Sequence, residues 1–260
     1  MIRAAMAIHY LSPVCDSAFP DDWYDLADAS HFWMQWRLAV ALRLADTAGV
    51  LRDEPLAALD IGGGAGRFRQ QLEASTRWRV DLTDLNAEAL KRAPEGRGRI
   101  LYYDVTRPEP ALVGRYDACF LFDVIEHVEE PRALVAAGLE HVRPSGHLLV
   151  NVPALPSLRS AYDDAAGHLR RYTRASLSAE LSGLPATTVD IRYWGLSLVP
   201  LLALRKLVAG SKPDADTIRT GFEPPNALLH TGLKTLKSAE LALFRNPPLG
   251  TSVMAVVRRD

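Results

Sequence analysis

The chain has 260 residues, 48% of them apolar and 23% charged, and its 30 basic and 31 acidic side chains leave a net charge near −1. That length suits one elaborated domain with a sizeable core, and the balanced charge offers no general attraction to phosphates, which argues against nucleic acid as the substrate. The two cysteines, Cys15 and Cys119, are too far apart for metal-ligand spacing or a disulfide framework, so a reduced, cytoplasmic setting is expected. His9 and Pro13 interrupt the short apolar patch at the start, against a signal peptide. The mainly apolar run 196–204 is far too short to span a bilayer.

Residues 1–50 read as an N-terminal helical lid. Trp23, Trp33 and Trp36 fall within fourteen residues and lead into an Ala/Leu/Val/Arg helix that ends near Gly49. The rings either only pack on the domain, or Trp33 helps to cover a ligand whose carboxylate meets Arg37 or His31. Residues 56–61 follow as a buried strand carrying Asp60 near its end. Gly62, Gly63, Gly64 and Gly66 then lead into a polar helix from Arg67. Such glycines permit positive φ and let a ligand lie against bare backbone, in front of the N–H groups of the helix start. A dinucleotide fingerprint fails here, because Arg67 stands where the third glycine belongs. The arrangement is D-x-G-x-G-x-G. A carboxylate at this strand end suits a ligand bearing an ammonium group and repels a pyrophosphate.

A strand over 78–83 ends in Asp84-Leu85-Asn86, where Asn86 caps the next helix. Asp84 follows Asp60 by 24 residues, the place where such a unit presents a carboxylate to ribose hydroxyls. Asp81 competes for the role from mid-strand. A strand over 99–103 ends at Asp104-Val105. A strand over 116–122 runs into Asp123-x-x-Glu126-His127. A helix over 131–142 has Pro131 in its first turn, and a turn at 144–146 enters a strand over 147–152. This alternation predicts an α/β fold: a doubly wound, mostly parallel sheet with its ligand at the carboxyl ends of the strands.

Over about residues 55–155 the pattern resembles the class I S-adenosylmethionine (SAM)-dependent methyltransferases. The resemblance implies a seven-stranded Rossmann-like sheet whose last strand is antiparallel, with SAM as cofactor. It places Asp60 and the glycines under the methionine part, Asp84 at the ribose, Asp104 and Val105 at the adenine, Asp123 at the methionine moiety, and Leu85 among the cofactor-binding residues. Asp123-x-x-Glu126-His127 resembles the strand-four motif of methyltransferases acting on quinone precursors, some of which carry Glu-x-x-Glu-His and a divalent metal. Oxygen and imidazole ligands could hold Mg²⁺, Mn²⁺ or Zn²⁺. The same pattern is common in members without a metal, and none is expected here.

Residues 160–173 gather Ser160, Tyr162, Asp163, Asp164, His168, Arg170, Arg171 and Tyr172 in one connection. The segment resembles one found in a broad bacterial group of small-molecule methyltransferases. An imidazole suits proton removal near neutral pH, so His168 is expected as the general base. Asp163 would orient it, and His127 is next in line. The arginines either hold an anionic substrate or pair with Asp163 and Asp164.

Strands over 187–193 and 251–258 complete the sheet. Residues 196–248 form a helical insertion between them, with Leu229, Leu233, Leu236 and Leu243 on one face and Lys234 and Lys237 on another. It caps the substrate cleft, or offers an apolar face to a lipid-like substrate, a membrane surface or a second copy of the chain. The organisation is thus a lid (1–50), a cofactor-binding core (51–195), a cap (196–248) and a final core strand (249–260). The function implied is methyl transfer to a hydroxyl of a small metabolite, with N- or C-methylation second and a SAM-binding protein without turnover as the rival.

Overall fold

The computed structural model describes residues 7–15, 29, 31–208 and 227–260. Trp23, the polar stretch 211–220, Pro224 and Pro225 lie outside the described residues, as does the side chain of Leu229. In chain order the strands are β1 (Ile8–Tyr10), β2 (Ala57–Ile61), β3 (Arg79–Asp84), β4 (Ile100–Tyr102), β5 (Tyr116–Phe122), β6 (Val142–Pro153), β7 (Ala186–Trp194) and β8 (Ser252–Arg259). The helices are α1 (Phe32–Thr47), α2 (Arg67–Ser75), α3 (Ala87–Lys91), α4 (Pro131–His141), α5 (Ala161–Ala165), α6 (Arg174–Leu181), α7 (Val199–Val208) and α8 (Ala227–Leu243).

The strands make one sheet in the order β1-β4-β3-β2-β5-β6-β8-β7, parallel except where β8 runs between β6 and β7. The expected seven strands are present. An eighth, β1, adds to the edge with Ile8 opposite Ile100, so residues 8–10 belong to the sheet and the helical lid begins after them. The order turns back on itself between β2 and β5, which run side by side and parallel. A crevice opens there, outside the carboxyl ends of the strands.

The side-chain period of two explains why both faces are covered. From β5, Cys119 and Leu121 enter one core while Ala118, Phe120 and Phe122 enter the other. From β8, Val253, Ala255 and Val257 go one way, and Met254 and Val256 the other. Helices α4 and α6 close the first face with Val135, Leu139, Leu177 and Leu181. Helices α1 and α2 close the second with Trp36, Leu44, Phe68 and Leu72, joined by Leu198 and Leu233 from the cap. The cap is therefore rooted in the core. No helix among the described residues is long and apolar enough to cross a membrane.

Candidate active site

A cavity of about 650 Å³ opens at the β2/β5 crevice, lined by Asp60, Gly62, Gly63, Gly64, Asp84, Leu85, Asp104, Val105, Asp123, Arg37 and His127, among others, while Gly66 is not on its wall. Gly62, Gly64 and Gly66 all take positive φ, at 69°, 54° and 68°. Gly63 does not, but a Cβ there would lie 2.5 Å from Asp60 Oδ2 and from Leu82 Cδ1. Sterics, not φ, require glycine at 63.

Asp60 is fully buried at the end of β2, and its Oδ2 makes no hydrogen bond among the described residues. Burial pushes its carboxyl up to about 7, against the pull of the Arg37 charge. A carboxylate oxygen without a partner on the wall of a cavity is what an ammonium ligand would satisfy. Binding such a group favours the ionised carboxylate and expels its proton. The expected result is a SAM affinity that falls as pH drops below about 7. Calorimetry in two buffers of different ionisation heat reads the released proton directly, and an identical heat in both would contradict this role for Asp60.

Asp84 accepts the Gly64 N–H through Oδ2 and the Asn86 N–H through Oδ1, each at 2.8 Å. It thereby ties the glycine turn to β3 at the cavity edge, while Asn86 caps α3 through the Ala89 N–H as expected. Burial raises its carboxyl, and these N–H groups oppose the shift. Asp81, mid-strand in β3, is spent on Arg99 and Tyr116 and is not among the walls of this cavity. Asp104 Oδ1 takes the backbone N–H and hydroxyl of Thr106 at 3.0 and 2.6 Å, shaping the turn that carries Val105 into the wall.

The lid residues divide. Arg37, buried in α1, reaches the cavity but gives Nη1 to Asp123 Oδ2 at 2.5 Å. Its guanidinium lies against the rings of Trp33, Phe68 and Phe122. Trp33 packs on Trp194, with ring centroids 5.6 Å apart, and is not among the cavity walls. His31 caps α1 by accepting the Trp33 N–H at 3.3 Å and is likewise absent from those walls. From α1, the residues on the cavity wall are Arg37 and Met34.

Asp123 has φ 58°, a conformation that aspartate tolerates and that bends the chain out of β5. Its Oδ1 accepts from Asn151 Nδ2 at 2.8 Å, and Asn151 Oδ1 accepts from Trp194 Nε1 at 2.9 Å. A buried polar chain thus runs from lid to strand end to cap root. Asn151 was missed by the motif reading, although an amide between Val150 and Val152 in a buried strand is itself a signal.

The 160–173 connection delivers a second cluster. His168 Nδ1 lies 2.8 Å from Asp163 Oδ1, and Arg171 Nε donates to that same oxygen at 2.6 Å. Ser160 N donates to Asp163 Oδ2 at 2.9 Å. Burial alone would raise the Asp163 carboxyl, but the His168 bond and the Arg171 charge outweigh it and hold it below the usual carboxylate range. Arg171 is thus the structural partner of Asp163, and Arg159 that of Asp164. The His127 ring stands edge-on to His168 with centroids 4.9 Å apart, and its Nδ1 lies 3.2 Å from the Gly167 carbonyl. Burial, then the His168 charge, pushes His127 down to about 4.

Glu126 is fully buried, and neither carboxylate oxygen has a hydrogen-bond partner among the described residues. Burial, then the Asp123 charge, raises its carboxyl well above the ordinary value. Ligand atoms of Glu126, His127 and His168 lie within 4.8 Å of one another. Among the described residues these three are the group that could hold a cation, while Asp123 is engaged by Arg37 and Asn151.

No curated protein matches the chain. Among solved structures it is similar to a sarcosine dimethylglycine methyltransferase from Galdieria sulphuraria, with 15% identity, TM-score 0.56, and 85% of this chain and 84% of that one covered. A Haloferax volcanii methyltransferase bound to the Trm112 activator gives 14% identity, TM-score 0.58, and coverage of 93% and 99%. Phosphoethanolamine N-methyltransferase 2 of Haemonchus contortus, solved with SAM, gives 16% identity and TM-score 0.55, covering 87% of this chain and 52% of that one. At these identities the likeness concerns the fold. Residues 27–184, more than half of the chain, match the family model described as a methyltransferase domain; the chain belongs to that family and is a SAM-dependent methyltransferase.

Proposed function

We propose that the protein transfers the methyl group of SAM to a hydroxyl oxygen of a small metabolite, with His168 as general base. Bound SAM supplies an already activated methyl, so the protein's task is to align the acceptor, exclude water and take up its proton. The glycine turn, Asp60 and Asp84 hold the cofactor's amino acid and ribose. Leu85, Asp104 and Val105 flank its adenine, and Arg37 with Asp123 closes the methionine end. The observation that carries the catalytic assignment is the Asp163–His168 pair at 2.8 Å. The acidic partner fixes the tautomer with the proton on Nδ1 and leaves Nε2 to accept. His127 is the second reading for the base, favoured by its own place on the cavity wall. Acceptor nitrogen is the second reading for the reaction, since two similar structures are described as acting on sarcosine/dimethylglycine and phosphoethanolamine. The setting proposed is the cytoplasm.

The test is incubation with methyl-labelled SAM and a panel of hydroxylated and amino metabolites, before and after exhaustive chelation. Label in an O-methyl product, undiminished by chelation, is the expected outcome. Label only in N-methyl products would replace the acceptor. Loss on chelation with recovery in Mg²⁺ or Zn²⁺ would make Glu126, His127 and His168 ligands instead.

A further inference from the structure

The C-terminal end of α8 has a surface chemistry that the methyl-transfer site does not use. One side of the helix is buried: Leu233 and Leu241 join the core on the α1 side. Glu240 accepts the N–H groups of Gly195, Leu196 and Ser197 together with the Ser197 hydroxyl. A strip flanking it is bare. Leu236 is 46% exposed, Leu243 76%, and the next residue, Phe244, 43%.

Four arginines surround this end, three from separate elements and Arg245 from the segment that follows α8. Arg43 of α1 donates to the Leu241 carbonyl. Arg192 of β7 donates to the Arg245 carbonyl at 3.3 Å. Arg174 of α6 stacks on Tyr193 and donates to Asn246 Oδ1 and the Pro247 carbonyl, both at 2.5 Å. Arg245 itself is exposed. The carbonyls hold these side chains in place without neutralising them. Asp190, on Arg192, is the single carboxylate paired with any of the four among the described residues. Burial, and then the nearby charges of Arg43 and Arg245, lower the Arg192 guanidinium, as expected of crowded like charges.

We propose that this end of α8 docks the enzyme on an anionic lipid bilayer, Leu243 and Phe244 entering the interface and the exposed Arg245, flanked by the partly exposed Arg43 and Arg174, meeting the headgroups. Charge complementarity selects the occupant: a locally cationic rim around protruding apolar side chains suits an anionic surface, in a chain whose overall charge is near −1. A second copy docking on the same patch would face arginine with arginine. Two or three apolar side chains on one helix end also supply little of the core that a specific protein interface needs.

The experiment is co-sedimentation of the full chain with phosphatidylcholine vesicles, with and without phosphatidylglycerol. Binding is expected only with the anionic lipid, weakening as salt rises. Each charge removed should weaken it by roughly fivefold, so Arg245→Gln reads the electrostatic part and Leu243→Glu the apolar one. Both sites are exposed and distant from the cofactor cavity, so SAM binding should be unchanged and reports intact folding. Absence of binding to anionic vesicles, or binding indifferent to both substitutions, overturns the proposal. So does a dimer in solution that Leu243→Glu dissociates, which would assign the patch to a second copy.

Discussion

His168→Ala is expected to lower turnover by about a hundredfold or more, the usual share of a positioned base, while SAM affinity stays nearly unchanged. The split follows from placement. His168 is not among the cofactor cavity walls, whereas His127, Ala166 and Gly167 are, so its loss removes proton transfer and leaves the cradle intact. Asp163→Asn should reproduce part of the loss, because an amide no longer stabilises the charged imidazole. It also strips Arg171 of its partner at 2.6 Å and Ser160 of its cap, so that variant should unfold at a lower temperature. Steady-state rates with the true acceptor check the first result, and thermal melts the second. Near-wild-type turnover in His168→Ala, with collapse in His127→Ala, would move the base to His127.

Gly63→Val is expected to abolish measurable SAM binding. Its Cβ would enter the space held by Asp60 Oδ2 and Leu82 Cδ1, both 2.5 Å away. The Asp60 carboxylate cannot retreat, since it is buried at the end of a central strand. Either the turn lifts off the sheet or the carboxylate leaves the position from which it meets the ligand's ammonium. Overpacking of this kind costs about 1–3 kcal/mol in stability; the larger loss is a charge-assisted contact in a site shaped around it. Calorimetry on a folded sample checks it, and retained affinity would show that Asp60 does not hold the cofactor.

The sheet was legible because strands buried on both faces must be apolar runs, and each run here stops at a polar residue on the crevice: Asp60, Asp84, Asp104 and Asp123. The glycine turn was legible because positive φ and close approach admit few other residues. What stayed hidden is long-range. β1 is three residues, Ile-His-Tyr, and is a strand only because β4 offers an edge. Arg37 and Asp123 are 86 residues apart, so the ion pair they form on the cavity wall leaves no local spacing. Trp33 reads the same whether it covers a ligand or packs on Trp194. The Glu126–His127–His168 grouping likewise arises only when the 160–173 connection folds back over the end of β5.

The central claim is that this crevice is built for an amino-acid-bearing nucleoside and not for a dinucleotide. Titration calorimetry of the full chain with S-adenosylhomocysteine and, separately, NAD tests it most directly. One site filled by S-adenosylhomocysteine at micromolar concentration, with no heat from NAD, is the predicted result. NAD binding without S-adenosylhomocysteine binding would contradict it.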